Sequence, residues 1–164
     1  SIEPYATEIG KARVISKGSD ITIVGISHMV IESLRAHKHL EGIGISAEII
    51  DPIWLSPLDI KSIVASVKKT GRLLVVDTAW LTCGVSSEIC MQVLEHLQSS
   101  QTIRVERMGY ENSPCPTTKP LENIFYPNPS RIASKVYGMI YPNKEAWTPS
   151  DSESEEVAKF RGPF

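Results

Sequence analysis

The sequence predicts a three-layer α/β/α domain on a mostly parallel five-stranded sheet with one antiparallel edge strand. Segments with strand character alternate with segments of helical periodicity, which is the pattern of a parallel sheet covered by helices. Two strand segments, "ITIVGI" at 21–26 and "RLLVVD" at 72–77, are almost continuously apolar, as strands buried on both faces are. The length of 164 residues fits one domain with a tail.

The first two strands are predicted at 11–16 and 21–26. The turn between them, "KGSD", contains Gly18 and Asp20, which favour tight turns. A turn this short suits antiparallel neighbours, so we expect these two strands to pair at the edge of the sheet.

The first helix is predicted to begin at Ser27, which is a favourable capping residue, and to end at Gly42 and Gly44. Its apolar face recurs at helical spacing and comprises Val30, Ile31, Leu34 and Leu40. The next strand is predicted at 46–51.

The second helix is predicted from the stretch "LSPLDIKSIVASVKKTG". Ser56 is the expected cap, with Pro57 in the first helical position and Asp59 in the third. Lys68 and Lys69 favour the last turn, and Gly71 ends the helix. The predicted buried face comprises Ile60, Ile63, Val64 and Val67.

The second half of the chain continues the alternation. A helix follows the turn "TAWLTCG", a strand is predicted at 102–107, a proline-rich connection spans 109–120, and a last helix lies near 129–138. The inward positions of the helix after the turn are expected to be Ile89, Val93, Leu94 and Leu97. We place the domain at 1–142 and a Ser/Glu-rich, partly disordered tail at 143–164.

Composition excludes several classes of protein. A net charge of −2 without a basic stripe argues against a nucleic-acid partner. The sequence has no apolar run near the 20 or so residues that span a bilayer, so no membrane association is expected. Three scattered cysteines are neither a disulfide framework nor a metal site and indicate reduced thiols in a cytoplasmic protein. No catalytic or metal-binding constellation is predicted.

The loop containing Gly25, Ser27 and His28 is one candidate site. It follows a buried strand and precedes a helix, where open α/β sheets bind ligands and where free N–H groups favour anions. His28 is suited to acid, base or hydrogen-bonding roles. The alternative is a plain strand-to-helix turn.

The turn containing Trp80, Leu81, Cys83 and Gly84 is a candidate interface. An aromatic residue at a strand end is frequent in protein–protein contacts, and Gly84 indicates close approach of the backbone to backbone, to a partner or to a ligand. The alternative is that Trp80 packs within the chain against the 109–120 connection.

Four stretches resemble one known family. They are "EPYATEIGKARVISKGSDITIVGISHMVIESLRA", "AEIIDPIWLSPLDIKSIVASVKKTGRLLVVDTA", "GVSSEI" and "PLENIFYPNPSRIASKV". Together they resemble the C-terminal transketolase-like domain of the β subunit of 2-oxo acid dehydrogenase E1 components, of the pyruvate, branched-chain and acetoin types.

This resemblance implies an assembly domain of a thiamine diphosphate enzyme that decarboxylates a 2-oxo acid oxidatively and transfers the acyl group to a lipoyl carrier. The cofactor and its magnesium are held elsewhere in that family, by a G-D-G…N motif that this sequence lacks, so no cofactor is expected to bind this segment and the isolated domain is expected to be inactive. The implied partners are a second copy, the E1 α subunit or an N-terminal pyrimidine-binding domain, and the subunit-binding domain of the E2 core.

Two departures from the family bear on substrate and partner. The family usually has Glu-Ala-Pro where this chain has Asp77-Thr78-Ala79-Trp80, and its next loop is usually glycine-paired and often basic. Two alternatives therefore stand beside the E1 interpretation: part of a transketolase-like enzyme of sugar biosynthesis, and a stand-alone, non-catalytic binding or regulatory module.

Overall fold

The structure is a computed structural model that describes residues 7–97 and 102–150. These residues form five strands and five helices. The strands are β1 (Arg13–Ser16), β2 (Ile21–Gly25), β3 (Ala47–Asp51), β4 (Arg72–Trp80) and β5 (Arg104–Tyr110). The helices are α1 (Met29–Glu41), α2 (Ile60–Thr70), α3 (Val85–Leu97), α4 (Lys119–Phe125) and α5 (Pro129–Ile140).

The strands form one sheet in the order β1-β3-β2-β4-β5. The pairs β3–β2, β2–β4 and β4–β5 are parallel, and only the edge pair β1–β3 is antiparallel. The predicted fold class is therefore confirmed.

The partner of the edge strand differs from the prediction. β1 pairs with β3, with Arg13 opposite Asp51, and not with β2. The reason lies in the turn, where the backbone N–H groups of Ser19 and Asp20 both donate to the Ser46 carbonyl just before β3. The turn that connects β1 to β2 therefore crosses the beginning of β3. As a result, β3 lies between β1 and β2 in the sheet.

Each face of the sheet carries its own apolar core. Alternate residues of β2 point to opposite sides, so that Ile23 packs with α1 and α5 whereas Val24 packs with α2 and α3. Leu74 and Val75 of β4 divide in the same way. The helices form two layers around a doubly buried sheet, as the two continuous apolar runs predict.

Two apolar residues that the periodicity places inside are exposed. Ile31 of α1 and Leu94 of α3 both face solvent. In α3 the buried stripe runs through Ile89, Cys90 and Val93, and Leu94 lies beside it. A helix presents a limited arc to the sheet, and the spacing of apolar residues alone does not fix where that arc is centred.

The cap of α2 is Asp59 and not Ser56. The Asp59 carboxylate accepts hydrogen bonds from the Ser62 N–H at 3.3 Å and the Ser62 hydroxyl at 2.8 Å. It also accepts one from the Ala12 N–H at 3.1 Å, which joins the helix to the segment before β1. Ser56 and Pro57 instead form a turn between Leu55 and Leu58.

We expect Asp59→Ala to lower the free energy of unfolding by about 0.5–2 kcal/mol, the usual cost of losing a cap. Ser56→Ala is the matched control and is expected to change it by less than about 0.5 kcal/mol. Urea denaturation of both variants measures the difference. Equal effects of the two substitutions would contradict the assignment of the cap.

The stabilisation that the Asp59 cap provides is expected to weaken at low pH. Burial by itself raises the pKa of the Asp59 carboxyl, but the hydrogen bonds from Ser62 and Ala12 outweigh it, so that the pKa lies below its usual value. The folded state therefore favours the carboxylate. The stabilisation is complete above the ordinary aspartate pKa and is lost as the pH falls through the lowered pKa of the folded state.

The proline-rich connection leads into α4, a short helix that the sequence did not predict and that overlaps the predicted connection only at Lys119 and Pro120. The chain after α5 also has described contacts: Trp147 packs against Tyr137, with ring centroids 5.4 Å apart, and Pro149 is buried. The predicted tail thus has its first eight residues, 143–150, in the described part of the chain, and 151–164 lie outside it.

Candidate functional site

The carboxyl ends of β2 and β4 lie side by side at the centre of the sheet. α1 leaves β2 toward one face of the sheet, and α3 leaves β4 toward the other. In open α/β sheets this change of direction opens a crevice in which ligands bind.

A cavity of about 360 Å³ lies at this place. Its walls come from His28 after β2, Thr78 in β4, Tyr110 at the end of β5, and the segment from α4 to α5. The charged and amide side chains that line it are Glu32, Lys119, Glu122, Asn123 and Asn128. The cavity brings together parts of the chain more than 90 residues apart, and the sequence analysis found only His28 among them.

The loop after β2 is tightly built. A Cβ added at Gly25 would lie 2.8 Å from the Val30 backbone, so only glycine lets β2 approach the first turn of α1. Ser27 has a φ of 57°, in the left-handed region. Its side chain does not cap α1; the residue in the capping position is His28, which makes no side-chain capping bond.

His28 and Arg35 are two basic side chains that lie beside the buried Glu32 carboxylate. Nε2 of His28 lies 3.3 Å from Oε1 of Glu32, and Nη1 of Arg35 donates to the same oxygen at 2.8 Å. Glu32 is buried, whereas the His28 side chain is largely exposed at the cavity. The imidazole thus lies beside a buried carboxylate, and most of the His28 side chain stays open to solvent at the cavity. A ligand role for Gly25, Ser27 and His28 stays a prediction.

The turn after β4 encloses a buried carboxyl that the sequence analysis missed. Asp77 is 3% exposed, and its Oδ2 is buried without a hydrogen-bond partner, although the backbone N–H groups of Thr78 and Ser86 lie close enough to favour the carboxylate. Burial raises the pKa of Asp77 despite these N–H groups. The signal in the sequence was an acidic residue that ends an apolar strand and precedes a small-residue turn.

Gly84 is required by the same turn. A Cβ at Gly84 would lie 2.5 Å from the Trp80 carbonyl oxygen. The sequence left open whether Gly84 approaches backbone, a partner or a ligand. In the structure it approaches the backbone of its own chain.

Trp80 belongs to an aromatic cluster, although it is 46% exposed. Its ring meets Tyr110 edge-on at 5.7 Å and Phe125 at 6.4 Å, and its Nε1 donates to the Ser113 carbonyl at 3.4 Å. It is the last residue of β4 and packs partly against the 109–120 connection, as the alternative proposed. Cys83, at a φ of 59°, is exposed, and Leu81 is half-buried. An interface at Trp80, Leu81, Cys83 and Gly84 stays a prediction.

Two kinds of feature are absent from the described residues, 7–97 and 102–150. These residues contain no group of three or more His, Cys, Asp or Glu side chains placed to hold a metal ion. They also contain no helix that is both long and apolar enough to cross a membrane.

Residues 10–132 match the family described as transketolase, C-terminal domain. The pyruvate dehydrogenase E1 component subunits beta of Staphylococcus epidermidis and Staphylococcus aureus are each 38% identical to this chain over 134 residues. The match includes 82% of this chain and 41% of each relative. This chain thus spans about two fifths of the length of these relatives.

A solved structure described as a split gene transketolase, inactive beta4 tetramer, has a similar fold. Its TM-score is 0.72 at 26% sequence identity, over 85% of this chain and 45% of that chain.

Proposed function

The chain belongs to the transketolase C-terminal domain family, and from this premise we propose that it is the assembly domain of an E1 β subunit. The assembled enzyme would decarboxylate a 2-oxo acid oxidatively and pass the acyl group to a lipoyl carrier in the cytoplasm. The similarity to two pyruvate dehydrogenase β subunits supports this reaction class.

The observation that carries the assembly role is an apolar surface at the carboxyl edge of the sheet. Among the described residues, six of the eleven exposed large hydrophobic side chains lie along this edge. We call them the carboxyl-edge band: Ile9, Ile53, Leu55, Trp80, Leu121 and Ile124. Ile124 is 61% exposed and lines a cavity of about 480 Å³, whose other apolar walls are Pro114, Pro116, Leu121 and Phe125. Exposed apolar side chains that gather at one edge of a domain are a feature of protein contact surfaces.

The entry of the chain at this edge supports the same proposal. β1 is antiparallel to β3, so residues 7–12 approach from the carboxyl edge of the parallel strands. In the family the pyrimidine-binding domain precedes this domain, and it would therefore attach beside the band. A second copy, the E1 α subunit and the E2 subunit-binding domain are the other proposed partners.

Two carboxylates, Glu32 and Glu122, line the central cavity. Glu32 is already paired with Arg35, so the cavity is poorly suited to hold a magnesium diphosphate. We propose that the other parts of the assembled enzyme hold thiamine diphosphate and its magnesium, where the cofactor would supply the decarboxylation chemistry.

We expect the chain to self-associate through the carboxyl-edge band, as measured by sedimentation velocity over a range of concentrations. Ile124→Asp is expected to weaken association at least about tenfold, because a charge on an apolar interface loses more than 1.4 kcal/mol. Trp80→Ala is expected to act in the same direction.

Leu94→Asp is the matched control, since Leu94 is also an exposed apolar residue but lies on α3 outside the band. A chain that stays monomeric, or one that Leu94→Asp dissociates as strongly as Ile124→Asp does, would refute the contact. Circular dichroism of each variant separates lost association from unfolding.

We also expect the chain to be inactive alone. It should neither turn over a panel of 2-oxo acids with thiamine diphosphate, Mg²⁺ and an artificial electron acceptor, nor bind the cofactor in a calorimetric titration. Turnover above background would show that the domain carries its own catalytic machinery.

One alternative has an observation in its favour. The similar fold of the split transketolase chain, at 26% identity, favours the β half of a transketolase-like enzyme. Assay of the assembled enzyme decides between the two, because a transketolase would accept a ketose phosphate donor and ignore a lipoyl carrier.

A further inference from the structure

We propose that the central cavity binds a small zwitterion of the α-amino-acid class. The cavity of about 360 Å³ is at the lower end of the size range of ligand pockets, which suits a small metabolite. The proposal is independent of the assembly role, because the two use different sides of α4. Lys119, Glu122 and Asn123 line the central cavity, whereas Leu121 and Ile124 line the apolar cavity of the band.

Two opposite charges at the cavity have no ion-pair partner. Among the residues that the structure describes, Lys119 and Glu122 form no salt bridge, either with each other or with a third group. The second carboxylate of the cavity, Glu32, is already held by Arg35 at 2.8 Å and lies 3.3 Å from His28. The cavity thus offers one ammonium and one carboxylate. A simple anion or a simple cation would match only one of them, whereas a ligand that carries both charges matches both.

The placement of these two charges suits an amino acid. Lys119 and Glu122 stand three residues apart on α4, and an exposed pair at this spacing is weak, so a ligand has little to compete with. An α-amino acid carries its ammonium and its carboxylate on one carbon and can lie between the two side chains. Its carboxylate would face Lys119, with the Asn123 amide and the Thr78 hydroxyl as further donors on the cavity wall, and its ammonium would face Glu122.

The remaining walls of the cavity are aromatic and apolar. Tyr110 and Tyr126 meet edge-on with ring centroids 5.1 Å apart, and both line the cavity together with Met29 and Pro127. Aromatic faces attract ammonium groups, and apolar walls favour an aliphatic side chain over water.

The aromatic wall is held in place by the protein itself. The Tyr126 hydroxyl lies 3.0 Å from the Cys115 sulfur, and the Tyr110 ring stacks on Phe125 with centroids 5.0 Å apart. The amide of Asn128, at the end of the same segment, donates to the Asn123 carbonyl at 3.0 Å. A wall that is ordered before the ligand arrives lowers the entropic cost of binding.

The test is a titration of the full chain with L-valine, followed by amide NMR, beside two compounds that share its isopropyl group. Isobutylamine keeps the ammonium and isovalerate keeps the carboxylate. L-Valine should shift the Thr78 and Asn123 amides saturably and bind at least about tenfold more tightly than either compound, because it forms charged hydrogen bonds on both sides. The amide of Gly138, on α5 outside the cavity, should not move. The absence of a saturable shift would overturn the proposal, and so would equal affinity for isovalerate or for isobutylamine.

Two substitutions assign the two charges. Glu122→Gln should weaken L-valine about tenfold and leave isovalerate unchanged, whereas Lys119→Gln should weaken both and leave isobutylamine unchanged. The matched controls are Glu95→Gln on α3 and Lys61→Gln on α2, which remove the same charges from exposed positions outside the cavity. Controls that weaken binding as much as the cavity variants do would refute the site, since affinity would then follow net charge. Ile124→Asp tests the assembly role separately, so either proposal can fail without the other.

Discussion

Ile63→Ala is expected to lower the free energy of unfolding by about 2–5 kcal/mol, the range for truncating a buried isoleucine. Ile63 is fully buried on α2 in the core that this helix forms with α3 and the sheet. The substitution removes apolar contact area and leaves a cavity that a close-packed core fills only in part.

Ile31→Ala is the control for that variant. Ile31 has the same chemistry on a helix of similar length but is 48% exposed, so its truncation should change stability by less than about 0.5 kcal/mol. Urea midpoints at an unchanged m-value measure both. An unchanged midpoint for Ile63→Ala would mean that the buried face of α2 is assigned wrongly.

Gly18→Ala is expected to destabilise the domain by roughly 3 kcal/mol, at the upper end of the cost of overpacking. A Cβ at this position would lie 2.2 Å from the Ala47 carbonyl carbon and 2.4 Å from the Glu48 nitrogen. Both are backbone atoms of β3, so no side-chain movement relieves the collision. The turn or the strand has to shift.

Gly138→Ala should have the opposite sign. Gly138 lies in α5 with open space where a Cβ would stand, and alanine favours the helix over glycine by about 0.5–1 kcal/mol. Thermal and urea denaturation of the two variants should therefore move in opposite directions. A stable Gly18→Ala would show that the turn does not cross β3 as closely as described.

The candidate site was less predictable from sequence than the fold. His28 was found because a loop between a buried strand and a helix is a frequent ligand position. Its partner Glu32 and the cavity wall at Tyr110 depend on packing between distant segments. Asp77 was passed over because the sequence does not reveal that the turn at Gly84 folds back over it.

The sequence by itself determined the fold class of this protein, the order of its elements apart from α4, and its family. Apolar runs and helical periodicity are local properties, and burial of each apolar face leaves few arrangements for alternating strands and helices. Caps and contacts were decided by the tertiary structure. Asp59 caps α2 in place of Ser56 because the N–H of Ala12, 47 residues away in sequence, donates to the Asp59 carboxylate. β1 joined β3 because the turn at Gly18 crosses that strand, and Ile31 and Leu94 turned outward because the sheet fixes which arc of each helix is buried. These choices depend on groups that are distant in sequence, so no local pattern contains them.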